Sequence, residues 1–416
     1  MDTSGSMDRL LERFCRYVQV ETTAVEDTAD YPSSRGQIVL GGMLADELKD
    51  LGMRDVRQDE HGIVTATIAG DRPGAPVMAW IAHLDTSPEA SGAGVRPVVH
   101  REYDGGDIVL PGDPSRVIRV AETPELAELE GRTIITTDGT TLLGADDKAG
   151  VAVIMETAQR LAARRDIHHG DIRIVFTCDE EIGHGVDKVD VARLGAHVAY
   201  TLDGEGRAQI ENETFSADLA TVTIRGRNIH PGLACGKMIN AIRLAAQFVE
   251  RMPWHRLSPE RTSGRDGFLH PYTIEGGVEQ CRIRILLRSF QTVELAEQSE
   301  LLRKIAALLE AEHPGAAVVV EVREQYRNMA EPLAREPRAT VLAEEAISRA
   351  GLNPRYQMIR GGTDGARLSA MGLPTPNLST GMHNFHSPLE YACLEEMESA
   401  VQVLLQLAEL WGNEAR

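Results

Sequence analysis

The chain has 416 residues, 42% hydrophobic and 25% charged, which is enough for two domains and a large core. With 43 basic against 63 acidic residues, its formal net charge is −20. That balance argues against nucleic acid or an anionic membrane as a partner, and it suits a cation ligand wherever the acids cluster. Five widely spaced cysteines without a CxxC pattern fit a reducing compartment rather than a disulfide framework. The start "MDTSGSMDRLLERF" has no apolar signal core, and no run approaches the length of a membrane span, so the expectation is a cytoplasmic protein.

In chain order, "MDRLLERFCRYVQV" places Leu10, Leu11, Phe14 and Val18 at helical spacing. A second helix pattern, "GQIVLGGMLADELKDLG", stops at Gly52. "IVTATIAG" and "PVMAWIAHLD" read as strands, and residues 87–115, rich in Gly, Pro and Asp, as a long excursion with a hairpin. "RTIITTDG" is a short strand, and "TLLGADDKAGVAVIMETAQRLAARR" a Gly-bearing turn feeding a long helix. "DIRIVFTCDEE" and "HVAYTLDGEG" are strands that end in acids. Strands alternating with helices predict an α/β domain with a mixed, mostly parallel sheet.

The pattern changes near residue 213. "ADLATVTIRG", "GKMINAIRLAAQFVERM", "GFLHPYTIEGG", "VEQCRIRILLRSF", "VELAEQSELLRKIAALLEAEH" and "AAVVVEVREQY" follow the order β-α-β-β-α-β, a ferredoxin-like α+β motif. Residues 214–323 therefore read as an inserted domain, with 1–213 and 324–416 as the two parts of the larger one.

Acids and histidines gather just after the predicted strands: His83, Asp85, Asp146, Asp147, Glu180, Glu181, Asp203 and His386. In open α/β sheets the carboxyl ends of the strands are where ligands bind. Crowded carboxylates repel one another unless a cation neutralises them, and two histidines among them suit zinc, with manganese or cobalt as alternatives. The number of ligands suits two ions: His83 and Asp203 on one, Glu181 and His386 on the other, with Asp146 bridging. Glu180 is then left unligated beside the water and can act as general base. Asp85 can orient the imidazole of His83 through its second nitrogen.

The order HLD, GADDKAG, DEEIG, LDG and a late His resembles the dinuclear-zinc peptidases related to aminoacylases and carboxypeptidase G-type enzymes. "HLDTSPEASG", "YDGGDIVL", "TIITTDGTTLLGADDKAG", "DEEIGHG", "IRGGTDGARLSAMGLPTPNLSTG" and "NFHSPLE" are similar to the tripeptide aminopeptidases among them, over nearly the whole chain. The resemblance implies a zinc-exopeptidase-like catalytic domain carrying a lid and dimerisation domain. It implies His83, Asp146, Glu181, Asp203 and His386 as metal ligands and Glu180 as base. It also implies Asp85 as the acid that orients His83 and a strained Asp146–Asp147 peptide. His386 is favoured over His383 because its spacing to Glu390 matches the family.

Within the insert, the resemblance implies His230 as the group that stabilises the tetrahedral oxyanion, with shaping of a turn as the plain alternative. Arg288, Arg360, Asn328, Gly361 and Gly362 are the substrate-facing candidates. Leu233, Cys235, Glu205, Ser289 and Gln291 depart from the pattern and bear on which peptide is preferred. The function implied is removal of the N-terminal residue from short peptides, tripeptides above all, by a homodimer with two zinc ions per subunit. A carboxypeptidase, dipeptidase or N-acyl amino acid hydrolase stays open, as does a catalytically silent binder.

Overall fold

The computed structural model describes residues 3–415 and divides into two compact units. The second unit comprises Glu213–Asn328 and Ile359–Gly362, and the remaining described residues form the first. The insert thus runs past the expected residue 323, and a short return segment joins it. The reason is local bonding: the Phe215 N–H donates to the Ile359 carbonyl (3.1 Å), and the Arg360 guanidinium donates to the carbonyls of Gly264 (2.6 Å) and Asp266 (2.9 Å).

The first unit is built on an eleven-stranded mixed sheet. Its centre is four parallel strands in the order Ile172–Thr177, Met78–His83, Val198–Glu205 and Asn377–His383. Antiparallel strands extend both sides, Val64–Ile68 and Arg54–Gln58 on one, Tyr391–Cys393, Ile134–Thr136 and Val98–His100 on the other. Every residue of Met78–His83 and Asn377–His383 is buried, as expected for strands covered on both faces. Helix Ala145–Ala163 packs on Met78–His83 and against helices Thr3–Val18 and Leu394–Gly412. It is buried on nearly all sides, which explains its run of small and apolar residues.

The excursion is less a single hairpin than a satellite core. Val98–His100 joins the main sheet, while Ile108–Val109 pairs with Val117–Ile118. Tyr103, Ile108, Leu110, Ile118, Leu126 and Leu129 then pack with Ile134 and Tyr391.

The second unit has the order β-α-β-β-α-β: Ser216–Arg225, Ala241–Arg251, Phe268–Gly276, Gln280–Ser289, Thr292–Glu312 and Ala317–Tyr326. Its four strands form an antiparallel sheet, with Gln280–Ser289 and Ser216–Arg225 in the middle. Leu244, Phe248, Leu302 and Leu309 from the helices pack on Val222, Ile283, Ile285 and Leu287. Ile274 and Val319 on the two edge strands are exposed.

Candidate metal centre

His83 is the last residue of strand Met78–His83, and Glu180 and Glu181 follow strand Ile172–Thr177. Asp203 lies near the end of Val198–Glu205, and His386 follows Asn377–His383. All four parallel strands therefore deliver their groups at one edge of the sheet. Asp146 reaches the same place from the first turn of helix Ala145–Ala163, through a cis peptide bond to Asp147.

Asp146 is the hub. Its Oδ1 lies 2.9 Å from His83 Nε2 and its Oδ2 3.2 Å from His386 Nε2. His386 Nε2 is also 2.8 Å from Glu181 Oε2, and His83 Nε2 is 3.6 Å from Asp203 Oδ1. Ligand atoms of His83, Asp146 and Glu181 all lie within 4.8 Å of one another, and so do those of His83, Asp147 and Asp203.

Asp85 does more than orient an imidazole. His83 Nδ1 is 3.1 Å from the Asp85 main-chain carbonyl and 3.4 Å from its Oδ1. The same carboxylate accepts the backbone N–H groups of Glu180 (3.1 Å) and Glu181 (3.0 Å). With Nδ1–H given to Asp85, Nε2 of His83 faces carboxylate oxygens, where either a metal cation or a second ring proton would sit.

Three further groups build the walls: Glu390, Asp147 and Asp364. Glu390 Oε2 accepts N–H bonds from Leu143 (2.7 Å) and Gly144 (2.8 Å), and its Oε1 accepts from Asp146 (3.0 Å). That fixes the turn carrying Asp146 and gives the His386-to-Glu390 spacing a physical reason. Asp147 accepts the backbone N–H of His83 (3.1 Å) and of Gly150 (3.1 Å). Gly150 permits this approach, since a Cβ there would stand 2.4 Å from Asp147 Oδ1. Asp364 is buried and accepts from Thr177 Oγ1 (2.8 Å). An acid opening a helix straight after "RGGT" was the available signal for it.

The electrostatics are those of an acid excess. Burial, and then Asp146, push Glu181 up to about 8 and Asp203 up to about 7. Burial lifts Glu180 well above the usual carboxylate range; His83 opposes this, while Asp364 and Asp203 add to it. Burial works against a charged His386, yet Asp146 and Glu181 raise it to about 11. Glu181 Oε1 is buried without a hydrogen-bond partner. An orphaned carboxylate oxygen, two inward-facing imidazoles and surplus acids are the donor set of a divalent-metal site.

The remaining candidates belong to the second unit. His230 is exposed, and its Nδ1 accepts the Gly232 N–H (3.2 Å), so it does shape the turn Pro231–Leu233. Arg288 donates to the carbonyls of Leu287 (3.0 Å) and Asp218 (3.3 Å) and covers the Tyr326 ring. Asn328 bonds to the Phe290 carbonyl (2.9 Å) and the Thr214 N–H (3.2 Å). Arg360 also stacks on Phe215 and Phe268. Gly362 lies against Tyr326, where a Cβ would meet the ring at 2.6 Å, whereas Gly361 has only Ile359 nearby at 3.8 Å. In the first unit, His168 is exposed and pairs with Asp71, whereas His169 is buried, its Nδ1 2.7 Å from the Gly170 carbonyl.

Comparison with known proteins agrees with this geometry. The family described as peptidase family M20/M25/M40 matches residues 136–410. Peptidase T of Geobacillus kaustophilus is 43% identical over 407 residues, covering 98% of this chain and 99% of the relative. Peptidase T of Clostridium botulinum strain Hall is 41% identical over 408 residues, covering 98% and 100%. Among solved structures, aminopeptidase PepT from Bacillus cereus superposes with a TM-score of 0.76 at 25% identity, over 97% of this chain and 98% of that one. A tripeptidase from Staphylococcus aureus gives a TM-score of 0.77 at 22% identity, over 98% and 99%, and shares the fold. From the family match and from relatives more than 40% identical along nearly its whole length, the chain belongs to peptidase family M20/M25/M40, within its peptidase T branch.

Proposed function

We propose that this chain is a two-zinc aminopeptidase that removes the N-terminal residue from short peptides, tripeptides above all. The observation that carries the reading is Asp146, which turns one oxygen toward His83 and the other toward His386. A carboxylate so placed is suited to bridging two ions. One ion would take His83 and Asp203 and the other Glu181 and His386. The names of the relatives, peptidase T and tripeptidase, support the choice of substrate.

Bound zinc supplies two things there, polarisation of the scissile carbonyl and acidification of water. The protein's own residues do the rest. Glu180 takes a proton from the attacking water and passes it to the leaving amine. Asp85 holds His83 and the Glu180–Glu181 backbone in register. His230 donates to the developing oxyanion. Arg288, Arg360 and Asn328, with the backbone at Gly361 and Gly362, are our weaker candidates for substrate contact, because the side chains already hold their own unit together.

A homodimer through the second unit is part of the reading, supported by exposed Ile274 and Val319 on its edge strands. A cytoplasmic location is supported by five free cysteines. Among the described residues, no helix is long and apolar enough to cross a membrane.

The test is hydrolysis of a free tripeptide beside the same peptide acetylated at its N-terminus, each with zinc, after chelation, and with Glu180→Ala. Cleavage of the free peptide alone, lost on chelation and in the variant, is the expected result. Cleavage of the blocked peptide alone would overturn it in favour of an acyl hydrolase or carboxypeptidase.

A further inference from the structure

Away from the cluster around Asp146, a second group of ligating side chains gathers at the ends of two central strands. We propose that Glu125, Glu205 and His383 form a third divalent-cation site. Their ligand atoms lie within 4.8 Å of one another. His383 closes strand Asn377–His383, Glu205 closes strand Val198–Glu205, and Glu125 lies in the short 3-10 helix Pro124–Leu129.

The acids alone would mean little, but His383 points to a ligand independently. It is only 4% exposed, and its ring stacks on Tyr391 at 4.6 Å. His383 Nε2 lies 2.7 Å from Glu396 Oε2, and Glu396 is itself buried. Giving the Nε2–H to that carboxylate leaves Nδ1 as a bare lone pair, the pattern by which an outer carboxylate prepares a metal-binding imidazole. Nδ1 is buried and has no hydrogen-bond partner.

Glu205 Oε1 is the carboxylate oxygen it faces, at 3.8 Å. That separation is too long for a hydrogen bond. It suits two ligands of one ion, because bonds of about 2.0–2.2 Å place their donor atoms roughly 3–4 Å apart. The Tyr391 hydroxyl is likewise buried without a partner. Among the described residues no Arg or Lys pairs with Glu125 or Glu205. Glu125 is exposed and Glu205 half-buried, which leaves a way in for a hydrated ion.

One nitrogen and two carboxylates suit zinc or manganese, with water completing the shell. The ion would pin the satellite core to the main sheet. It would also brace the segments carrying Asp203 and His386, which lie two residues before Glu205 and three after His383.

The test is metal content per chain of the full-length protein after equilibration with zinc and, separately, manganese. Glu205→Gln and Glu125→Gln should each hold one ion fewer than the unmodified chain. Neither side chain supports the fold through a hydrogen bond among the described residues, so both variants should keep their Tm in chelator. The same one-ion difference should persist when Glu205→Gln is added to Asp146→Asn, which separates this site from the centre around Asp146. Equal metal content in the unmodified chain and both variants, with either metal, would overturn the proposal.

Discussion

Glu156 and Asp146 lie ten residues apart on one buried helix, yet their surroundings are opposite in sign. Glu156 receives three guanidiniums: Arg9 at 2.5 and 3.0 Å, Arg160 at 2.8 Å, and Arg13. Arg13 and Arg160 continue outward to Glu47 (2.6 Å) and Glu398 (2.6 Å), so the network closes on itself. Asp146 instead meets two imidazoles and is crowded by Asp147, Glu181 and Asp203. Both carboxylates are buried and both are paired. Burial of charge therefore does not mark a functional site by itself; an unbalanced buried charge does.

The contrast can be broken most sharply at the base. Glu180→Gln removes a proton acceptor without changing shape, and peptide hydrolysis should fall about 10²- to 10⁴-fold while bound metal is retained. A kcat within a factor of two of the unmodified enzyme would remove Glu180 from the chemistry. The balanced cluster should answer in stability instead. Arg13→Met strips Glu156 of one buried partner and should cost about 3–5 kcal/mol in urea unfolding, because a buried charge is left undercompensated.

Metal removal acts on the unbalanced cluster and leaves the paired carboxylate of Glu156 untouched. Zinc at about 100 times Kd should contribute about 2.7 kcal/mol for each ion bound, and chelation should abolish it. The chelated protein should also acquire a distinctive pH dependence. Glu181 and Asp203, lifted by burial and then by Asp146 to about 8 and about 7, keep protons that the unfolded chain releases near pH 4. The native state thus binds more protons between those values, and stability falls as pH rises from about 4 to about 8. His386, raised to about 11, adds a decline of the same sign above about pH 6.5. Urea midpoints across this range should flatten when zinc is present and steepen without it. In chelator above about pH 7, where Asp203 is charged, Asp203→Asn should raise the midpoint, since it removes a repelling charge. The smallest effect belongs to Arg16→Ala: Arg16 is 53% exposed where it meets Glu47, and the loss should stay below about 1 kcal/mol.

Much of this was legible in the sequence because strand ends are local events. "PVMAWIAHLD" carries its burial and its ligand within ten letters, and the strand does end at His83. The β-α-β-β-α-β order of the insert was likewise written in periodicity, and its four strands form one antiparallel sheet. What stayed hidden depends on distant partners. Nothing near Glu390 announces that its two oxygens hold the turn at Gly144, nearly 250 residues away in sequence. Asp364 lay in a Gly-rich stretch with the look of a turn, and its burial comes from packing beside Thr177. His383, set aside because His386 carried the family spacing, proved to have a carboxylate and a bare nitrogen of its own.

Asp85 joins two strand ends at once. Through one carbonyl and one carboxylate it grips the His83 ring and the backbone of Glu180 and Glu181 together. His83, Glu180 and Glu181 are thus yoked to a single side chain, and their errors in position are shared. Disturbing that yoke would not single out a step: metal retention, KM and kcat would drift together, and no choice of substrate or metal would disentangle them.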